Sequence, residues 1–191
     1  MDRLHELLER LGSLLRAGDR RRGDRQGPLQ PVHWQVLHYL ARCNRFSDTP
    51  AAVAAFLGAG RGTVSQSILV LARRGLVARA ADADDGRVVH LRLTARGRRL
   101  AEGRPGPAFE RAAQTLPPAD RAGAERALEA LLTSLQRANG GRTFGVCGSC
   151  RHLQGGPRGP FRCGLNGEPL AAPETAQICH HHALPPAAPL G

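Results

Sequence analysis

The chain has 191 residues, which is enough for one full domain and a small appendage. Hydrophobic residues make up 41% of it but aromatic residues only 4%, so Leu, Ala and Val must fill the core. The formal charge of +11 comes from 27 basic residues, all of them Arg, against 16 acidic ones. This balance favours a nucleic-acid partner, because the Arg fork matches phosphates and guanine edges. The choice of Arg over Lys also suits a GC-rich genome.

Two helices are predicted in the first 43 residues. Leucines at helical spacing give the first helix one apolar stripe, formed by Leu4, Leu7, Leu8, Leu11, Leu14 and Leu15. This helix is predicted to be short, because a loop rich in Arg, Gly and Asp follows it, AGDRRRGDRQGPLQ. A second helix is predicted to start at Pro31, in the segment PVHWQVLHYLARC. The charged start of the chain is unlike a signal peptide, and no apolar run is long enough to span a membrane. We therefore expect a cytoplasmic protein.

Residues 50–76 predict a pair of short helices joined by a tight turn. Thr49 and Pro50 form a cap and first-turn pair, and Gly58 ends the first of the two helices. The second helix repeats apolar residues at i, i+4 and i+7 and would pack on the first through them. These inward-facing residues are Val64, Ile68 and Leu71.

The opposite face of the second helix carries short or forked hydrogen-bonding side chains. Such groups are what a recognition helix presents to base edges and phosphates in the major groove. The candidate DNA-contacting residues on this helix are Arg61, Thr63, Ser65 and Gln66. A helix pair of this kind is also a common packing motif, so this pattern does not by itself establish DNA binding.

A two-stranded hairpin, or wing, is predicted directly after the helix pair. Val89, Leu91 and Leu93 alternate inward, whereas Val88, His90 and Arg92 alternate outward. The turn DADDGR, residues 82–87, places Arg87 near its tip, where the negative potential of a minor groove would attract it. An ion pair with Asp85 is the simpler role for the same Arg, and the two roles are compatible.

Helices are again predicted after the wing. Thr94 caps a helix through ARGRRLAEG, which GRPGP at residues 103–107 must interrupt because prolines do not fit inside a regular helix. A second amphipathic helix follows in ADRAGAERALEALLTSLQR, and residues 138–142 (ANGGR) read as a joint. The apolar face of this helix consists of Leu128, Leu131, Leu132 and Leu135.

The C-terminal segment has the cysteine spacing of a metal site. A C-x2-C pair places two thiolates within reach of one metal, and two later cysteines complete a set of four ligands. The candidate ligands are Cys147, Cys150, Cys163 and Cys179, whereas Cys43 is predicted to be a core thiol. A segment so small and so rich in Gly and Pro cannot maintain a hydrophobic core unless a metal or another cross-link stabilises it.

The identity of this metal is left open by the spacing. Single cysteines dispersed among apolar residues slightly favour a [4Fe–4S] cluster, which accepts thiolates from varied spacings, and zinc is the alternative. His152 and the run His180–His182 could replace or supplement a thiolate, although most of the run is predicted to be exposed.

The motifs of residues 1–138 together resemble the MarR family of winged-helix transcriptional regulators. The resemblance rests on LQPVHWQVLHYL, on TPAAVAAFLGAGRGTVSQSILVLARRGLVAR and on DADDGRVVHLRLTARGRRL. It implies a mainly α fold with a small β wing and a homodimer built by the N- and C-terminal helices. It also implies a palindromic DNA operator, usually repressed, with Arg61, Thr63, Ser65, Gln66 and Arg87 as the contacts and Asp85 positioning the wing Arg.

Two features depart from the family pattern and bear on the dimer. Pro105 and Pro107 fall in what the family builds as one long dimer helix, and the first helix looks short. The family often binds small aromatic effectors, which His33 and Trp34 could line, although core packing is the expected role of Trp34. The chain is thus divided into a DNA-binding and dimerisation domain at 1–138, a metal module at 142–182 and a disordered tail at 183–191.

The leading hypothesis is a regulator whose operator binding is controlled by its four-cysteine site. One alternative is a redox or electron-transfer protein that uses the winged helix for protein contacts. Another is a regulator with a purely structural zinc site and a small-molecule effector. An enzyme is not expected, because the sequence offers no nucleophile–base pair, phosphate-binding Gly loop or paired catalytic carboxylates.

Overall fold

The computed structural model describes residues 2–20, 23–24, 26–83, 85–102, 107–138, 144–156 and 159–186. Its helices are α1 (Arg3–Arg20), α2 (Pro31–Leu40), α3 (Pro50–Leu57), α4 (Arg61–Arg73), α5 (Ala95–Glu102), α6 (Pro107–Gln114) and α7 (Pro118–Ala138). Its strands are β1 (Gly23–Asp24), β2 (Gly27–Pro28), β3 (Val77–Ala81), β4 (Val89–Leu93), β5 (Leu153–Gln154), β6 (Phe161–Cys163) and β7 (Pro169–Leu170). The predicted mainly α fold with a small β wing is confirmed.

The core lies where α2, α3 and α4 meet β4 and α5. Trp34 and Tyr39 of α2 are completely buried, as predicted, and they are the largest side chains at the centre. Val64, Ile68 and Leu71 turn the predicted face of α4 into the same core. Each fully buried large apolar side chain contributes about 1.5–3 kcal/mol, so this small cluster fixes the helix pair in place.

The turn between α3 and α4 has the predicted caps. The Thr49 hydroxyl accepts a hydrogen bond from the backbone N–H of Ala52 at 3.2 Å, and Pro50 occupies the first turn. Gly58 ends α3 in the left-handed conformation, with φ of 59°, which glycine adopts without a Cβ penalty. These local signals explain why the sequence alone located both ends of α3.

The wing is an antiparallel hairpin of β3 and β4, with Val77 opposite Leu93 and Ala81 opposite Val89. Thr94 closes its base, because its hydroxyl donates to the Gly75 carbonyl at 2.7 Å and accepts from the Gly97 N–H at 3.0 Å. The helix α5 thereby starts directly against the end of α4.

Several predicted boundaries in the N-terminal and C-terminal helices were wrong. Helix α1 continues to Arg20 and is therefore not short, while α2 ends at Leu40 rather than near Cys43. After the wing there are three helices, because a further break at residues 115–117 separates α6 from α7. Pro107 is the first residue of α6, a position that proline tolerates, while residues 103–106 lie outside the described part of the chain.

The C-terminal module is more ordered than its composition suggested. Strands β5, β6 and β7 form a three-stranded antiparallel sheet, and short 3₁₀ helices span Cys147–Ser149 and Ala172–Ala176. Residues 139–142 of the predicted joint lie outside the described residues, and so do the last five residues of the predicted tail, 187–191. Residues 183–186 are described and touch the rest of the chain: the Ala183 carbonyl accepts from the Arg151 N–H at 2.9 Å.

This module is docked on the winged helix and is not a detached appendage. Ile178 makes isolated β-bridges to Cys43 and to Val146, and it packs against the main core. Phe144 contacts Phe56 of α3 edge to face, with ring centroids 5.4 Å apart. Within the described residues no helix is both long and apolar enough to cross a membrane.

Gly97 is predicted to be required for the packing of α5 on the base of the wing. A Cβ at this position would lie 1.9 Å from the Leu76 carbonyl oxygen, which is backbone and cannot move aside as a side chain can. We expect Gly97→Ala to lower the free energy of unfolding by about 1–3 kcal/mol in urea titrations. Gly123→Ala is the control, because its nearest neighbour is a side-chain atom at 3.9 Å and Ala favours a helix; equal stability of the two variants would contradict the prediction.

Candidate nucleic-acid interface and four-cysteine pocket

The helix α4 presents two chemically different faces. Val64, Ile68 and Leu71 are buried in the core. All four predicted contacts are exposed: Arg61, Thr63, Ser65 and Gln66. Gly60 caps the helix without a side-chain hydrogen bond, so no side chain competes for the first-turn N–H groups. An N-terminal helix end of this kind attracts phosphate, because its free N–H groups and its dipole both favour negative charge.

Arg87 lies at the tip of the wing with its side chain 91% exposed. Its Nε and Nη2 atoms donate to the two carboxylate oxygens of Asp85 at 2.9 and 3.0 Å. This fork-to-fork pair, together with the Arg87 N–H, holds the pKa of Asp85 below its ordinary value. Asp85 therefore fixes the direction of this exposed Arg, in agreement with its predicted positioning role.

His90 departs from the predicted alternation of the wing. Leu91 faces inward and Arg92 outward, but the His90 side chain is only 22% exposed. Its Nδ1 hydrogen-bonds to Asp48 at 2.5 Å and its Nε2 to Asp82 at 2.9 Å, so it joins the loop before α3 to the start of the wing turn. Sequence alternation missed this role because Asp48 is 42 residues away.

The same His90 makes the stability of the wing dependent on pH. Hydrogen bonds to the carboxylates of Asp48 first and Asp82 second raise its pKa above the ordinary value of 6.5, because only the protonated ring can donate to both. The stabilisation is thus complete below pH 6.5 and is lost as the pH rises through the higher pKa of the folded state.

We therefore expect the free energy of unfolding to depend on pH differently in the His90→Gln variant than in the wild type. The wild type should lose stability relative to the variant above pH 6.5, with a slope of at most about 1.4 kcal/mol per pH unit for one proton. Urea titrations at half-unit pH intervals measure the difference. Parallel curves for the two proteins would show that His90 does not titrate with folding.

All four predicted ligand cysteines line one small pocket in the module. Cys147 and Cys150 come from the first 3₁₀ turn and its end, Cys163 from the last residue of β6, and Cys179 from the segment that follows Ile178. The pocket encloses about 20 Å³. Its other lining residues are Leu153, Leu165, Leu170, His152 and His181.

The pocket brings thiols together without arranging them as finished ligands. Among the described residues, no three His, Cys, Asp or Glu side chains form a group that could hold a metal ion. The interaction between the Cys147 and Cys179 thiols lowers the pKa of Cys179 and raises that of Cys147.

The histidines were only partly predicted. His181 lines the four-cysteine pocket and is exposed on its other side, but His182 is buried, with its Nε2 3.0 Å from the Ser149 hydroxyl. Burial lowers the pKa of His182. Cys43 is half-buried, packs against the core and lies outside this pocket, in agreement with its predicted role, and burial raises its pKa to about 12.

A second, larger cleft lies beside the start of α4. It measures about 550 Å³ and is lined by the small residues of α3 and by Arg61 on one side. Phe144, His180 and His181 of the C-terminal module form its other side. His33 and Trp34, the predicted effector-lining residues, are instead buried, and Trp34 belongs to the core.

Comparison with known proteins supports this picture of the fold. Residues 28–88 match the sequence model of the MarR family. The structure resembles that of the transcriptional regulator PA3341, with 28% identity, a TM-score of 0.59, and coverage of 70% of this chain and 98% of the other. No curated protein matches the chain.

Two further solved structures show the same fold with a ligand present. FabT of Streptococcus pneumoniae, in complex with DNA, is 24% identical with a TM-score of 0.58, covering 71% of this chain and 97% of its own. CouR from Rhodococcus jostii RHA1, bound to p-coumaroyl-CoA, is 25% identical with a TM-score of 0.52, covering 71% and 90%. Residues 28–88 are therefore similar to the MarR family, and the chain shares the fold of these solved structures.

Proposed function

We propose that this chain is a DNA-binding transcriptional regulator that acts as a homodimer on palindromic duplex DNA, usually as a repressor. The observation that carries the proposal is the division of α4 into a buried apolar face and an exposed face of Arg61, Thr63, Ser65 and Gln66. The exposed Arg87 on the wing and the net charge of +11 add the basic character that duplex DNA requires. A MarR-type fold solved in complex with DNA supports the same partner.

The proposal is tested by selecting bound duplexes from a random pool with the full-length chain. We expect an enriched palindromic sequence, whose affinity falls steeply with salt because phosphate contacts release counterions. Failure to enrich any sequence, together with salt-independent binding, would overturn the proposal and favour the redox alternative, in which the winged helix contacts proteins.

Arg87 and Gln66 are expected to contribute in different ways to binding of the selected duplex. Arg87→Ala should weaken binding about tenfold, the equivalent of about 1.4 kcal/mol. Gln66→Ala should relax the preference at one base position at a cost of about 1–3 kcal/mol, because an amide side chain reads adenine through two hydrogen bonds.

Titrations by fluorescence anisotropy at several salt concentrations measure both effects. Arg126→Ala on α7 is the matched control, since it removes another exposed Arg that is remote in sequence from the helix pair and the wing. If Arg126→Ala weakens binding as much as Arg87→Ala, the effect is one of net charge alone. Unchanged affinity on replacing Arg87 would remove it from the DNA-contacting set.

Two uncovered leucine faces support the proposed homodimer. No residue of α7 is buried, and Leu128, Leu132 and Leu135 are each about half exposed, at 47%, 55% and 52%. Helix α1 exposes a similar stripe, in which Leu14 is 71% exposed. Contiguous apolar surface of this kind is typical of an interface, and a palindromic site requires two copies.

Leu132→Glu is therefore expected to convert a dimer into a monomer and to abolish tight binding to the full palindrome. The charge would sit at the centre of the α7 stripe, where its desolvation opposes association. Ala130→Glu, an exposed residue on the opposite side of the same helix, is the control. Sedimentation equilibrium measures the outcome, and a variant that remains dimeric would place the interface elsewhere.

We further propose that the four-cysteine pocket holds a metal and that the loaded state influences operator binding. The supporting observation is that four cysteines, separated by up to 32 positions in the sequence, line one pocket. The other residues that line this pocket are three leucines and two histidines. A small organic effector is a second possible input. The 550 Å³ cleft that includes Arg61 has the size of a ligand site, and titration of an acyl-CoA against the DNA complex tests it.

A further inference from the structure

The four-cysteine pocket is bonded directly to the DNA-binding half of the chain. Asn44, in the loop between α2 and α3, donates from Nδ2 to the Cys147 sulfur at 3.3 Å. One sulfur of the module thus depends on a donor from the winged helix, although more than 100 residues separate Asn44 from Cys147.

The same loop is held by backbone bonds from the module on one side. The Asn44 N–H donates to the Ile178 carbonyl at 2.9 Å, and the Ile178 N–H donates to the Arg42 carbonyl at 2.8 Å. The N–H of His180, next to Cys179, donates to the Ser47 hydroxyl at 2.9 Å. A shift of Cys179 therefore cannot occur without moving Ser47 or breaking these bonds.

On its other side the loop is bonded to the wing. The Ser47 hydroxyl donates to Asn44 Oδ1 at 2.7 Å, and the next residue, Asp48, accepts from the Leu91 N–H at 2.7 Å. Asp48 also binds His90, which reaches Asp82 at the start of the wing turn. Asp82 accepts from the Asp85 N–H at 2.9 Å, and Asp85 orients Arg87.

The arrangement of the thiols implies that metal loading moves them. No three groups among the described residues are yet placed to hold an ion, although all four cysteines line the same pocket. A tetrahedral zinc site needs four sulfurs at about 2.3 Å from one ion, so the thiols must close inward. A [4Fe–4S] cluster would instead push the leucines outward, because the 20 Å³ pocket has room for about one water molecule.

We infer that the four cysteines form a thiolate metal centre whose occupancy is transmitted to the wing through residues 42–48, with Asn44 and Ser47 as the positioning residues. The inference rests on the proposed DNA-binding function. Either metal moves Cys147 and Cys179; the Cys147 sulfur is bonded to Asn44, and His180, the residue after Cys179, is bonded to Ser47. Loaded and unloaded chains then hold Arg87 differently, and a ligand that favours one arrangement shifts the affinity for DNA.

Metal binding is tested first, with the full-length chain and without DNA. Anaerobic reconstitution with ferrous iron and sulfide, or with zinc, should load about four irons or about one zinc per chain, and the absorbance spectrum distinguishes the two. Cys163→Ala should lose this uptake. Cys43→Ala is the matched control, because it removes the remaining cysteine, which does not line the pocket, and should load normally. Absence of both metals from the wild type would overturn the inference.

Transmission is tested on the selected duplex with the loaded chain and the chelator-treated chain. We expect their dissociation constants to differ at least tenfold. Asn44→Ala should still load metal but shrink this ratio towards one. Asn44 is buried, so Asn44→Ala can fail to fold. Arg45→Ala is a second, surface variant that loosens the same connection between loop and module, because Arg45 pairs with Glu174 at 2.7 Å and donates to the Pro169 carbonyl.

Each outcome of this second experiment has a distinct meaning. Equal affinities of the loaded and unloaded wild type would overturn the transmission, and so would a ratio that neither variant changes. Asn166→Ala, an exposed residue in the turn after β6, is the control and should keep the wild-type ratio. If no form of the chain binds any duplex while metal loads normally, the proposed DNA-binding function fails and the metal centre stands.

Discussion

The loop between α2 and α3 contains buried polar groups that must be satisfied from three directions. Asn44 is 1% exposed and Ser47 is completely buried, and a buried polar group without a partner costs about 1–3 kcal/mol. Their partners come from the C-terminal module, from α2 through the Tyr39 hydroxyl, and from each other. Because Asp48 continues the same network into the wing, the geometry of this loop sets the relative positions of the other parts.

The molecule therefore consists of a winged helix and a C-terminal module that are bonded to each other, and of two helices, α1 and α7, whose apolar faces are exposed. The winged helix and the module share backbone bonds, an aromatic contact and the Arg45–Glu174 pair. Helices α1 and α7, by contrast, expose their leucines in the single chain. A second copy of the chain is the natural cover for such faces, since apolar area buried between copies contributes roughly 25 cal/mol per Å² before the costs of association.

Local signals explain which parts of the fold and of the candidate site were predictable. Thr49, Pro50 and Gly58 define α3 by capping chemistry, and the spacing of Val64, Ile68 and Leu71 defines the buried face of α4. The exposed candidate contacts of α4 and the Asp85–Arg87 pair follow from the same short-range rules. Other features were not predictable, because tertiary packing overrides weak propensities there. They are the helix ends at Arg20 and Leu40, the break between α6 and α7, and the strands of the module.

The sequence by itself determined a winged helix similar to that of the MarR family, its candidate DNA-reading residues and a set of four cysteines, because each depends on the spacing of residues along the chain. Only the tertiary structure decided that His90 is clamped by Asp48 and Asp82, that His182 is buried, and that the cysteines share one pocket. It also decided that the module is bonded to Asn44 and Ser47. These contacts join residues 8 to 133 positions apart, and most of them leave no periodic trace in a single sequence.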